Sequence, residues 1–152
     1  MMSKQAKGRN NGAVVQFSVF TANRLGQLHD VIRLLNSHSI HVLGLTVLDS
    51  VESSIIRLVV DDPGDARDLL RQNGFAFNES ELLCVEIRGA DQLSELMSAL
   101  LEAELNINFL YGLIPHSLGK PVLALSMEDN EVAEKILSQR AFRLLRQADL
   151  SR

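Results

Sequence analysis

The apolar residues of this chain recur at a long, nearly constant offset. Leu28 falls on Leu93, Leu35 on Leu100, Ile40 on Leu105, Val42 on Ile107, Leu45 on Leu110 and Leu58 on Leu123, each pair 65 positions apart. Two extra residues near Glu131 move the offset to 67. Ala66 then falls on Ala133, Gln72 on Gln139 and Phe75 on Phe142. Repetition on that scale means one structural unit built twice. Units of roughly 70 residues are small for independent stability, so the two are expected to pack on each other.

The first unit reads as βαββαβ. Val15, Phe17 and Val19 alternate with Gln16, Ser18 and Phe20, the pattern of a strand over Val14 to Phe20 with one buried face. From Gly26 onward the period changes, and Leu25, Leu28, Val31, Ile32 and Leu35 take the spacing of a helix stripe that runs to Ser37. Thr21 or Asn23 can cap its start. Ile40 to Val47 is a long apolar strand, Asp49 to Ser53 a turn, and Ser54 to Val60 the returning strand. Asp61–Asp62–Pro63–Gly64 opens a second helix, with Pro near its first position and acidic residues at the positive end of its dipole. Asn73–Gly74 ends that helix in a left-handed turn, and Phe75 to Asn78 is the last strand.

The second unit follows suit. Its expected elements are a strand over Leu82 to Ile87, a helix over Asp91 to Glu104, strands over Asn106 to Ile114 and Val122 to Met127, a helix over Asn130 to Gln139 and a strand over Phe142 to Arg146. The domain reading is a disordered tail over 1–12, one unit over 13–79 and another over 80–152. The fold class is α+β, two tandem ferredoxin-like units, each an antiparallel four-stranded sheet with both helices on one face.

Composition narrows the function. A net charge of −4, 15 Lys+Arg and 5% aromatics without Trp leave no basic stripe or stacking platform for nucleic acid. One cysteine, Cys84, in an alternating apolar run, builds neither a disulfide nor a cysteine metal site and reads as a buried thiol. The polar start has no signal-like apolar segment and no run has the ~20 apolar residues of a membrane span, so a cytoplasmic protein is expected. His29, His38, His41 and His116 are scattered over different elements, so no metal or other cofactor is expected. No nucleophile turn, zinc-binding pair or dinucleotide fingerprint occurs, and the expectation is a protein that is not an enzyme.

Fold class alone does not assign function. The first turn narrows the choice: Asn23–Arg24–Leu25–Gly26–Gln27–Leu28, followed by Ile40–His41–Val42, resembles the ACT-domain pattern. There a polar residue stands three before a Gly, an apolar residue two after it, and the next strand starts apolar–polar–apolar. Asn23, Gly26, Leu28, Val31–Ile32 and Leu45–Thr46–Val47 are further similar to the small regulatory subunit of acetohydroxyacid (acetolactate) synthase. The resemblance departs from the family in two places. Leu25 stands where Pro usually precedes the Gly, and the second unit has Arg88 and Asp91 where the first has Asn23 and Gly26.

The resemblance implies an amino-acid effector bound at a strand-to-helix turn. A helix start offers unpaired N–H groups to a carboxylate, Gly26 allows close backbone approach, and the Asn23 amide can face both ammonium and carboxylate. The expected ligand-binding residues are Asn23, Arg24, Leu25, Gly26 and Gln27. The neighbouring unit's second strand would supply the other wall, Asn106 and Asn108, with His41 in the equivalent place of the first unit. A homodimer and a biosynthetic enzyme are the implied partners. Two functions stay open: an allosteric amino-acid-binding modulator, or a non-catalytic interaction module with degenerate sites.

Overall fold

The computed structural model describes residues 12–22, 24–114 and 119–151, with Arg24 described in its backbone only. Met1 to Asn11 of the expected tail, Asn23 and His116 lie outside the described residues. Gly12, expected at the end of the tail, adopts φ +81° and accepts a hydrogen bond from the Gln147 backbone N–H at 2.9 Å.

The elements, in chain order, are β1 (Val14–Thr21), α1 (Arg24–Ser37), β2 (Val42–Asp49), β3 (Ser54–Val60), α2 (Pro63–Gln72), β4 (Ala76–Glu86), α3 (Ala90–Glu102), β5 (Ile107–Gly112), β6 (Val122–Met127), α4 (Asn130–Gln139), β7 (Arg143–Leu145) and α5 (Gln147–Leu150). Every strand pairing is antiparallel. The α+β class and the two βαββαβ-like units are therefore as expected. Pro63 opens α2, and the Asp62 carboxylate accepts from the Asp65 N–H at 3.1 Å as its cap.

Backbone conformation repeats along with sequence. Ser39 (φ 58°) and Glu104 (φ 57°) are left-handed 65 positions apart, just past α1 and α3. Gly74 (φ 77°) and Ala141 (φ 65°) are left-handed 67 positions apart, just past α2 and α4. Each residue ends its helix at the same step of the repeat.

The units are joined more intimately than the sequence predicts. Phe75 to Asn78 and Leu82 to Ile87, expected as the last strand of one unit and the first of the next, belong largely to the single strand β4. Its first half pairs with β1, from Phe20↔Ala76 to Val14↔Leu82, and its second half pairs with β6 and β7. The expected junction at 79/80 falls inside this strand. Continuous alternation hides the change, because a strand that switches partners need not change its period. The short α5 was not foreseen either.

The strand order is β2-β3-β1-β4-β6-β5, with β7 on β4. A single bridge, Gly44↔Leu113, brings β5 back against β2, and the Ile114 N–H donates to the Leu43 carbonyl beside it. The strands thus curl into a partly closed barrel. Helices α1 and α2 cover one stretch of its outside over Phe17, Val31, Leu35, Leu58 and Leu70. Helices α3 and α4 cover another over Val85, Leu96, Leu100, Leu125 and Leu137. A third core, Val14, Leu43, Val59, Leu82, Cys84, Leu113, Ala124 and Leu150, fills the inside and ties the units together. Burial of that shared layer supplies the stability two small units lack alone.

Candidate functional site

The first strand-to-helix turn sits at the Thr21 end of β1. Register sets what lies beneath it: Thr21 pairs with Ser54, and Ser54 with Asp49, so three polar side chains form a row across β1, β3 and β2. Directly opposed residues share a face of the sheet. Ser54 and Thr21 are buried, at 1% and 4% exposure. The Ser54 hydroxyl donates to Asp49 Oδ1 at 2.9 Å, and the Thr21 hydroxyl reaches the Ser54 carbonyl at 3.4 Å. None of the three is a site residue in the sequence reading, which marks Thr21 only as a possible helix cap, Asp49 as the start of a turn and Ser54 as the start of a strand. Buried polar side chains in one row were the signal available.

Above the row, α1 begins at Arg24 with no acidic residue in its first turn. The other long helices each carry one there: Asp65 in α2, Asp91 in α3 and Glu131 in α4. Leu25 and Gly26 are exposed, and Leu25 at 80% has no packing role. Gln27 has a local task. Its Oε1 accepts from the Ala22 N–H at 3.2 Å and closes the turn. The matching residue in the second unit does the same, Gln92 Oε1 accepting from the Arg88 N–H at 2.7 Å. Beside Gln92, Arg88, Gly89, Ala90, Asp91 and Glu95 line a cleft of about 490 Å³ at the start of α3.

The remaining expected residues lie elsewhere. His41 is held by Asp61, its N–H donating to Oδ1 at 2.9 Å and its Nδ1 lying 2.7 Å from Oδ2. That pair is at the Val60 end of β3, opposite the Ser54 end that borders the first turn. Strands β3 and β1 along the sheet, and β5 and β6 across the Gly44↔Leu113 bridge, separate β2 from β4, which feeds the second turn. Within the chain, His41 walls neither turn. The Asn106 N–H donates to Glu128 Oε1 at 3.2 Å, and Asn108 Nδ2 to Ser126 Oγ at 3.4 Å, so both are bonded within the second unit. Of the residues named from sequence, the described structure keeps Arg24, Leu25, Gly26 and Gln27 together at one turn.

A pair of βαββαβ-like units sharing a strand is matched by the ACT domain pair model over residues 12–152, nearly the whole chain. The chain belongs to the ACT domain pair family. Solved structures similar to this ACT pair include protein BT0572 from Bacteroides thetaiotaomicron, with 21% identity, TM-score 0.83, and coverage of 93% of this chain and 97% of that one. The ligand-free regulatory subunit of aspartate kinase from Thermus thermophilus aligns with 14% identity and TM-score 0.58, covering 84% and 92%. Its counterpart from Thermus flavus gives 15%, 0.55, 84% and 92%. At these identities the likeness establishes the shared ACT fold. No curated protein sequence matches the chain. No described helix is long and apolar enough to cross a membrane.

Proposed function

We propose that this ACT pair is a regulatory, non-catalytic protein that binds an amino acid at the first turn and modulates a biosynthetic enzyme in response. The observation that carries the reading is the Asp49–Ser54–Thr21 row beneath the start of α1. A carboxylate beside the positive end of a helix dipole complements the two charges of an amino acid. The ammonium faces Asp49 and the carboxylate faces the positive end of the α1 dipole. The dipole contributes only about 0.3–1 kcal/mol, so Asn23, Arg24 and the polar row supply the added hydrogen bonds that micromolar affinity requires.

Acetolactate synthase is the first target to examine, from the residues similar to its regulatory subunit. The aspartate kinase regulatory subunits supply a second candidate class on fold likeness. Asn106, Asn108 and His41 bond away from the first turn in one chain, and in this reading they approach it from a second copy in a cytoplasmic homodimer. The experiment is a thermal-shift panel of the twenty amino acids, with Gly26→Asp and Asp49→Asn alongside. Ligand at 100 times its dissociation constant adds about 2.7 kcal/mol, several degrees for a chain of this size. A shift with one amino acid, absent in both variants, supports the reading. A flat panel sinks it and brings forward an interaction module with degenerate sites.

A further inference from the structure

One cation on the inward face of the barrel, Arg57, forms no ion pair with the described residues. The side chains directed inward are Val14, Gln16, Ser18 and Phe20 of β1, Gly44, Thr46 and Leu48 of β2, and Ile55, Arg57 and Val59 of β3. From β4, β6, β5 and β7 they include Ala76, Asn78, Ser80, Leu82, Cys84, Glu86, Val122, Ala124, Ser126, Phe109, Tyr111, Arg143 and Leu145. The one carboxylate of this set, Glu86, stands at the far end of β4 and pairs with Arg143 at 2.9 Å, which leaves Arg57 the only charged member near the Ser54 end of β3. Its guanidinium carbon lies 3.9 Å from the centre of the Phe109 ring. Its Nε is buried and has no hydrogen-bond partner among the described residues, and no ion pair forms to it there.

A buried guanidinium N–H without an acceptor costs free energy, and stacking on an aromatic face offsets only part of it. The surroundings place the cost one row below partly exposed strand ends. Leu48, Ile55 and Phe20 lie side by side across β2, β3 and β1 at the strand ends, with Leu48 50% and Phe20 41% exposed. One row further in lie Thr46, Arg57, Ser18 and Asn78. Deeper still, the Tyr111 hydroxyl donates to Gln16 Oε1 at 2.7 Å, and Gln16 is 1% exposed. An apolar rim over a ring of hydroxyls and one guanidinium suits an anion with an apolar tail.

We propose that this end of the barrel is a second ligand site, which takes a short-chain aliphatic carboxylate with its head group on Arg57 and its tail against Phe20, Ile55 and Leu48. The planar guanidinium matches a carboxylate, and no inward-facing acid stands near Arg57 to pair an ammonium, which disfavours an amino acid here. Arg57 lies two positions from the rim, about 6.5 Å along a strand. That distance suits a tail of about five carbons.

The test is isothermal titration of the full chain with hexanoate, hexanamide, acetate and inorganic phosphate, repeated on Arg57→Gln and Phe20→Ser. Hexanoate is expected to bind, with at least a tenfold loss for hexanamide and for either variant, and weaker binding of acetate and phosphate. Should Arg57→Gln fail to fold, the hexanamide comparison on the unaltered chain carries the same information. Absence of hexanoate binding, equal binding of hexanamide, or phosphate binding as tight as hexanoate would overturn the proposal. The site lies on the opposite face of the sheet from the amino-acid turn, although Phe20, Leu48 and Ile55 adjoin Thr21, Asp49 and Ser54 in the chain. Gly26→Asp is expected to leave hexanoate binding unchanged, so the two readings can fail separately.

Discussion

Gly44 and Leu113 make the contact by which the second unit closes against the edge of the first. They form the bridge between β2 and β5, and a Cβ built on Gly44 would overlap Leu113 Cδ2 and lie 3.3 Å from Tyr111 Cε2. Leu113 is 8% exposed and has little room to swing aside. The glycine is needed here for proximity, not for an unusual backbone angle. Gly44→Val is therefore expected to cost about 1–3 kcal/mol, the range for overpacking a filled site. Urea denaturation monitored by circular dichroism measures it, and an unchanged midpoint would mean that β2 and β5 do not meet in solution.

Gln147 fastens the carboxyl-terminal α5 to the first unit. Its Oε1 accepts from the Val15 N–H at 3.1 Å and its Nε2 donates to the Val60 carbonyl at 3.0 Å. Val15 and Val60 are 7% and 0% exposed. Gln147→Leu keeps the side-chain bulk but leaves a backbone donor and an acceptor unpaired, each costing about 1–3 kcal/mol where water cannot reach. The expected result is a fall in unfolding free energy within that range or above it. Amide exchange at Val15 should quicken, and its retention would refute this role for Gln147.

How far these relationships could be read from residue order differs by type. Helix stripes such as Val31–Leu35 and Leu96–Leu100 declare themselves, because burial on one side of a helix imposes the period. The repeat announced the second unit even where Leu28 and Leu93 end up differently exposed. Partner exchange along β4 left no mark, since Leu82 and Leu83 obey one alternation whichever strand they pair with. The first turn was legible through Gly26 and its neighbours. Its floor was not, because Thr21, Ser54 and Asp49 are distant in sequence and meet only through register. His41 carries a contact that residue order does not show: within the chain it is held by Asp61.

Cys84 supplies a probe of the shared inner layer. It is 1% exposed, and burial pushes its thiol from the ordinary 9.0 up to about 12. In the unfolded chain the thiol ionises near its ordinary value, so between about pH 9 and pH 12 unfolding releases a proton and stability falls as pH rises. Iodoacetamide at pH 8 is expected to spare the native protein and label it only in denaturant. Rapid native labelling would show that the inner layer opens. Loss of the alkaline slope in Cys84→Ala would assign that slope to this thiol.

Gly74 and Ala141 occupy the same step of the repeat, both past the end of a helix and both left-handed, at φ 77° and 65°. Gly74 adopts that conformation freely, whereas Ala141 bears a Cβ that crowds its own carbonyl at a cost of about 1–2 kcal/mol. Part of the gain on replacing it is offset, since glycine has more freedom to lose on folding. Ala141→Gly is therefore expected to stabilise the protein by about 0.5–1 kcal/mol, while Gly74→Ala destabilises it by a similar amount or more. Opposite signs from opposite substitutions at two matched positions isolate the backbone effect from local packing. Both melting temperatures are measured against the unaltered chain under identical conditions. A fall in both would mean that the Ala141 side chain contributes packing that outweighs its strained backbone.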